Sequence, residues 1–218
     1  PVIPGRLVHI QVRQSNRFLD IIGCYQHTQA HHKQRQTDRG QFWSQLDRLL
    51  GTLATRHSLV LAGDMNCSLP QLQSHSGPRE FKWKGKMHSG SHHADAGQFM
   101  SILRMHGLTA LNTWDPSCGP SYIQGTSCSR IDYLITRMQH ADGLAKRTTY
   151  AWDAPFCETS GHAPLLSTIR KHWFPAAPAM MATTVGKAQR QEGHKAFRLQ
   201  SPEWTDFTHD VGARLHHE

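Results

Sequence analysis

The chain has 218 residues, 38% of them hydrophobic, and carries a formal charge of +8, enough for one sizeable domain and too long for a disulfide miniprotein. No apolar run nears the ~18 residues that cross a bilayer, which argues against a membrane protein. Five cysteines form no CxxC pair, which argues against a zinc ribbon or disulfide framework and for a reducing, intracellular setting, nuclear or cytoplasmic.

Residues 6–13 alternate, with Val8, Ile10 and Val12 on one face, the pattern of a half-buried strand. A turn at residues 15–17 leads to a more fully buried strand at 18–25, so the two predict an antiparallel hairpin. Residues 27–39 read as polar loop. Phe42, Leu46, Leu49, Leu50 and Leu53 recur at helical spacing and predict an amphipathic helix over 41–56. A short strand over 58–62 ends at Gly63, and a long polar stretch follows over 68–94. A second helix is predicted over 95–106, with Phe99, Ile102 and Leu103 inward and Gly107 as its stop. Short strands then follow at 108–113, 121–124, 130–136, 147–152 and 163–170. Many short strands with only two helices predict α+β layers.

The charge is unevenly spread. Residues 1–174 hold 19 Lys and Arg against 11 Asp and Glu, whereas 175–218 hold five of each. The chain therefore reads as a domain over 1–174, followed by a linker or the start of another region over 175–218. It starts at Pro1 with no initiator Met or signal-peptide pattern and reads as a piece of something longer. Arg79, Lys82, Lys84 and Lys86 interleave with Phe81 and Trp83. Such a loop suits a phosphate backbone, with rings to stack on bases, and equally suits a solvated charge run. The 17 histidines are scattered along the chain, which disfavours a site built from His alone.

Three segments place polar groups at strand ends: Gly63-Asp64-Met65-Asn66, Ser129-Arg130-Ile131-Asp132-Tyr133 and Ser160-Gly161-His162-Ala163-Pro164-Leu165. A rigid strand giving way to a loop is a good platform for a preorganised site. In this order the set resembles the endonuclease/exonuclease/phosphatase superfamily, whose motifs read GDxN, SRIDY and SDHxPL. "IIGCYQHT", "LTALNTW" and "GPSY" are similar to lesser segments of that family. The resemblance covers residues 6 to 172 and is most like the endonuclease domain of non-LTR retrotransposons, which lies ahead of a reverse transcriptase.

This resemblance implies a four-layer α/β/β/α sandwich of the DNase I type, here missing its first strands. It implies phosphodiester hydrolysis with Mg²⁺, or Mn²⁺ in its place, and DNA or another nucleic acid as partner. Asp64 is then the general base for water, and Asn66 holds a phosphate oxygen or the water. His162 donates to the oxyanion, Asp132 fixes the imidazole, and Tyr25 offers a phenolic donor. Arg79, Lys82, Lys84 and Lys86 are the candidate substrate-binding cations. Arg130, between two strand residues, suits a structural ion pair.

Two departures stand out. The family's metal-binding Glu lies ahead of the hairpin, but the first Glu here is Glu80, so the principal metal ligand is missing and the rest of the ligand set is unassigned. Gly161 stands where the family has a second acid. Both weaken metal binding, so an inactive remnant that binds nucleic acid electrostatically is an alternative. A phosphatase or deadenylase of the same fold is another.

Overall fold

The computed structural model describes residues 2–14, 16–28, 33–90, 93–151 and 161–169. The expectations for Ser160 and for 175–218 lie outside the described residues. Strands β1 (Leu7–Gln14) and β2 (Arg17–Tyr25) form the antiparallel hairpin, pairing Leu7 with Cys24 and Gln14 with Arg17. Helix α1 (Lys33–Thr52) then carries the chain back to β3 (Ser58–Asp64), which lies parallel to β2. The helix starts earlier than its apolar spacing predicts, because residues 34–37 are polar and exposed and carry no periodic signal.

The polar stretch after β3 is not all loop. It contains a hairpin of β4 (Glu80–Trp83) and β5 (Lys86–Ser89). Its turn residues Lys84 and Gly85 have φ of 48° and 76°, the left-handed pair of a type I′ turn. Helix α2 (Ala96–Met105) follows, and Gly107 at φ 59° ends it as predicted. Strand β6 (Leu108–Ala110) passes into a 3-10 turn at Leu111–Thr113. β7 (Tyr122–Gln124) and β8 (Ser127–Ser129) make another hairpin, and β9 (Asp132–Arg137) returns to the main sheet. β10 (Thr149–Tyr150) and β11 (Leu165–Leu166) pair with each other.

The main sheet has the order β1-β2-β3-β9-β6, antiparallel except between β2 and β3. Both helices cover one face. Leu7, Ile22, Leu59, Leu61, Tyr133 and Ile135 point into a core shared with Phe42, Trp43, Leu46, Phe99 and Leu103. Trp43 stacks on Phe99 at 4.9 Å, and Phe99 meets Tyr133 edge-on at 5.6 Å. Burial of each such side chain contributes about 1.5–3 kcal/mol.

The opposite face corrects the reading of β1. Val8, Ile10 and Val12 are 42%, 54% and 39% exposed, while Leu7 is buried. Period-2 alternation reports which residues share a face, not which face the helices cover. Among the described residues the architecture is α+β, with one mixed sheet and one helical layer. The four-layer sandwich is not complete within them.

At the far end of β2, Asp20 is fully buried. It accepts from Gln11 Nε2 at 2.8 Å, and His9 Nε2 and His57 Nδ1 lie 2.9 Å from its two oxygens. None of the described helices is long and apolar enough to cross a membrane.

Candidate active site

Register builds the site. Tyr25 pairs with Asp64, and Asp64 pairs with Asp132, so three of the candidate side chains form one row across β2, β3 and β9. The row is possible because position 63 has no side chain. A Cβ on Gly63, at φ 147°, would sit 1.8 Å from the Cys24 carbonyl oxygen. Main-chain bonds extend the alignment past the strand ends, from Gln26 N–H to the Asp64 carbonyl and from Met65 N–H to that of Ile131, both at 2.8 Å.

Asn66 clamps Asp64. Its backbone N–H donates to Asp64 Oδ1 at 2.7 Å, and its side-chain amide donates to Asp64 Oδ2 at 3.0 Å and to the Gln26 carbonyl at 2.8 Å. The sequence reading put Asn66 on a phosphate oxygen or on water; in this structure its amide hydrogens face the protein. Burial is the main cause that pushes the Asp64 carboxyl up to about 6, and the charge of Asp132 adds to it.

Asp132 is held by main chain and side chain together. Its N–H and that of Ile131 both donate to the Ser121 hydroxyl, at 2.9 and 3.0 Å, and its carbonyl accepts from Asn112 Nδ2 at 2.9 Å. Both carboxylate oxygens of Asp132 face His162 Nδ1, at 3.1 and 3.0 Å. That hydrogen bond is the main cause raising the His162 pKa above its usual range. His162 is fixed from behind by β7, through the Tyr122–His162 bridge, the Ile123 N–H to Gly161 carbonyl bond and the Ala163 N–H to Ser121 carbonyl bond. The Tyr122 and His162 rings lie 4.5 Å apart.

Asp64, Asn66, Asp132 and His162 thus converge. Tyr25 ends the same row but is 48% exposed, with the Arg6 guanidinium 4.5 Å from its ring centroid. Lys82, Lys84 and Lys86 are exposed on the β4–β5 hairpin, and Arg79 is half-buried just before it. The hairpin is anchored by fully buried Phe81, which stacks with His88, while His88 Nδ1 lies 3.4 Å from Cys128 Sγ in β8. Arg130 is structural, but carbonyls are its hydrogen-bond acceptors. It donates to those of Cys118 and Pro78 and lies 5.1 Å over Phe81.

Asp64, Asp132 and His162 each offer a ligand atom within 4.8 Å of the others, the one such group among the described residues. Two facing carboxylates, one held above its normal pKa in part by the other, are a donor set that a cation would relieve.

No family model matches the chain. Solved structures do. A 3′ phosphatase from Neisseria (NExo), bound to a product DNA hairpin, is 22% identical with a TM-score of 0.54, over 76% of this chain and 65% of that one. The chain has the DNase I-like fold. The same endonuclease/exonuclease/phosphatase fold is matched in the endonuclease domain of TRAS1, a telomere-specific non-LTR retrotransposon, at 17% identity and TM-score 0.53, over 78% and 64%. An AP endonuclease from Archaeoglobus fulgidus is 18% identical at TM-score 0.53, over 75% and 65%. In sequence, 68 residues are 32% identical to the transposon TX1 uncharacterized 149 kDa protein of Xenopus laevis. That stretch is 31% of this chain and 5% of that protein. The chain thus spans less than two thirds of each of these DNase I-like structures.

Gln26, Asn112 and Ser121, which hold the site together, carry no site signal of their own in the sequence. Each lies in a segment the family resemblance flagged as similar, "IIGCYQHT", "LTALNTW" and "GPSY", which was the available signal.

Proposed function

We propose that this domain hydrolyses phosphodiester bonds in DNA, as a nicking endonuclease of the retrotransposon type. The observation that supports it most is the convergence of Asp64, Asp132 and His162 on one end of the sheet. With a pKa near 6, Asp64 is ionised about ten to one at pH 7, so it can take a proton from water without being too weak a base. Asn66 keeps both of its oxygens oriented. Asp132 holds His162 by Nδ1, which favours the imidazolium as donor to charge building on phosphorus. Tyr25 presents a phenol at the end of the row.

Asp64 and Asp132 would hold a hard dication, Mg²⁺ or Mn²⁺, which supplies positive charge to the scissile phosphate. Gly161 offers no side chain to add to these two ligands. The exposed Lys82, Lys84 and Lys86 would track a DNA strand. The matched transposon protein is 149 kDa, in keeping with a domain of a larger polypeptide in which 175–218 links to a reverse transcriptase.

A second reading, a remnant that only binds nucleic acid, is favoured by Gly161. Its Cβ would lie 2.6 Å from the Ile123 carbonyl oxygen, so the backbone there has no room for the acid of the resembling family. A supercoiled-plasmid assay with Mg²⁺ or Mn²⁺ separates the two. Open-circular product that disappears in Asp64→Ala and His162→Ala supports hydrolysis. DNA binding that stays salt-dependent, with no product from any variant, supports the remnant. In both cases, replacing Lys82, Lys84 and Lys86 by Ala should flatten the salt dependence by up to about three phosphate contacts.

A further inference from the structure

Arg39 lies on α1 behind the Asp64–Asn66 turn, and its side chain is 6% exposed. Its Nε and Nη2 donate to Asp95 Oδ2 at 2.9 and 2.6 Å, and Trp43 Nε1 donates to the same oxygen at 2.7 Å. The rest of the guanidinium turns to main chain. Nη2 donates to the Asn66 carbonyl at 3.2 Å, and Nη1 donates to the His27 carbonyl. Gln26 Nε2 in turn donates to the Arg39 carbonyl at 3.3 Å. Asn66 is thereby held by the side chain of Arg39 and Gln26 by its main chain.

The grip matters because Asn66 has φ 44°, in the left-handed region that non-glycine residues populate only when their surroundings hold them there. In that conformation its N–H and its amide reach the two Asp64 oxygens together. Asp95 sits at the N-cap of α2, where an Asp ordinarily caps the first turn. Its side chain makes no capping hydrogen bond. Its Oδ2 serves Arg39 and Trp43 instead.

We propose that Arg39, locked by Asp95, is a positioning residue that holds Asn66 in its left-handed conformation and through it fixes the Asp64 carboxylate. The role in turnover rests on the hydrolysis reading, but the effect on Asn66 does not. A planar fork spreads its donors over three nitrogens to reach a carboxylate and two separate carbonyls, whereas a Lys ammonium offers its three from a single nitrogen.

The test uses the full 218-residue chain and Arg39→Lys, with Asp95→Asn as a second variant that keeps the shape and removes the charge. Nitrogen-15 NMR reads the Asn66 side-chain amide directly. In both variants its two proton signals should move toward those of an unrestrained amide, read at a temperature where circular dichroism shows the variant folded. In a nicking assay kcat should drop about ten- to a hundredfold with KM for DNA unchanged, because Arg39 acts through Asn66. Unchanged Asn66 signals in a folded variant overturn the inference. If Arg39→Lys unfolds, Asp95→Asn decides. If the unaltered chain nicks nothing, the hydrolysis reading fails and the NMR result still decides for Arg39. If it nicks, Asp64→Ala abolishes nicking and Arg39→Lys keeps its kcat, the inference fails alone.

Discussion

Asp64 and Asp132 face each other across adjacent antiparallel strands, so two carboxylates share one end of the sheet. Only Asp132 has an imidazole hydrogen-bonded to it. The asymmetry divides their work: Asp132 is committed to His162, and Asp64 carries the raised pKa.

Replacing Asp132 should therefore be felt at Asp64. In Asp132→Asn the Asp64 midpoint should fall below about 6 but stay above 3.8, because burial, the larger cause, remains. The sign for stability follows. With its folded pKa raised, Asp64 binds more protons folded than unfolded between about pH 4 and 6, so its contribution to stability declines as pH rises through that window and the full cost is present above it. Carboxyl carbon-13 NMR across pH 3 to 8 checks the midpoint. A midpoint that does not move shows that Asp132 is not what Asp64 feels.

Activity should have two limbs. Asp64 must be ionised, so the rate rises as pH passes about 6. His162 must be protonated, so the rate falls above its raised pKa, which lies above 6.5. The limbs overlap and the optimum lies near neutral. Removing the Asp132 hydrogen bond in Asp132→Asn should shift the falling limb to lower pH and lower the maximum by about two to four powers of ten. Nicking rates at sub-saturating metal, measured over pH 5 to 9, give both limbs; saturating metal should draw the rising limb below 6, because a dication at Asp64 favours the carboxylate.

The resemblance makes Gly161→Asp look like a repair. The geometry predicts damage. Residue 161 has φ 71°, and its new Cβ would press on the Ile123 carbonyl and the Tyr122 ring. Relief means losing the Ile123–Gly161 main-chain bond that seats His162. The substitution should cost about 1–3 kcal/mol and lower nicking. Thermal unfolding and the plasmid assay check it together, and a more stable or more active Gly161→Asp protein would refute it.

Much of this was readable in the residues, unevenly so. The hairpin, both helices and the end of α2 at Gly107 followed from periodicity and turn chemistry, because those signals are local. The β4–β5 hairpin was hidden, since Lys82, Lys84 and Lys86 are polar on an exposed ribbon with Phe81 alone inward. Residues 34–37 of α1 were hidden for the same reason. Asp64, Asp132 and His162 were legible as motif positions, while their meeting depends on the register between β3 and β9, which no short window contains. Arg39 and Asp95 lie 56 residues apart in the chain, and buried Asp20 draws on His9 and His57 from separate elements. Partners of that kind are set by tertiary packing, and a one-dimensional pattern does not carry them.

The approach of Gly63 to the Cys24 carbonyl has a consequence for how the domain tolerates change. The obstructing atoms there belong to the peptide skeleton, so no compensating swap among neighbouring side chains opens room for even a methyl group. Position 63 admits one residue type, and whatever occupies it decides whether the phenol of Tyr25 and the carboxyl of Asp64 remain adjacent. Any side chain at that position would push β2 and β3 apart at the point where the two residues meet.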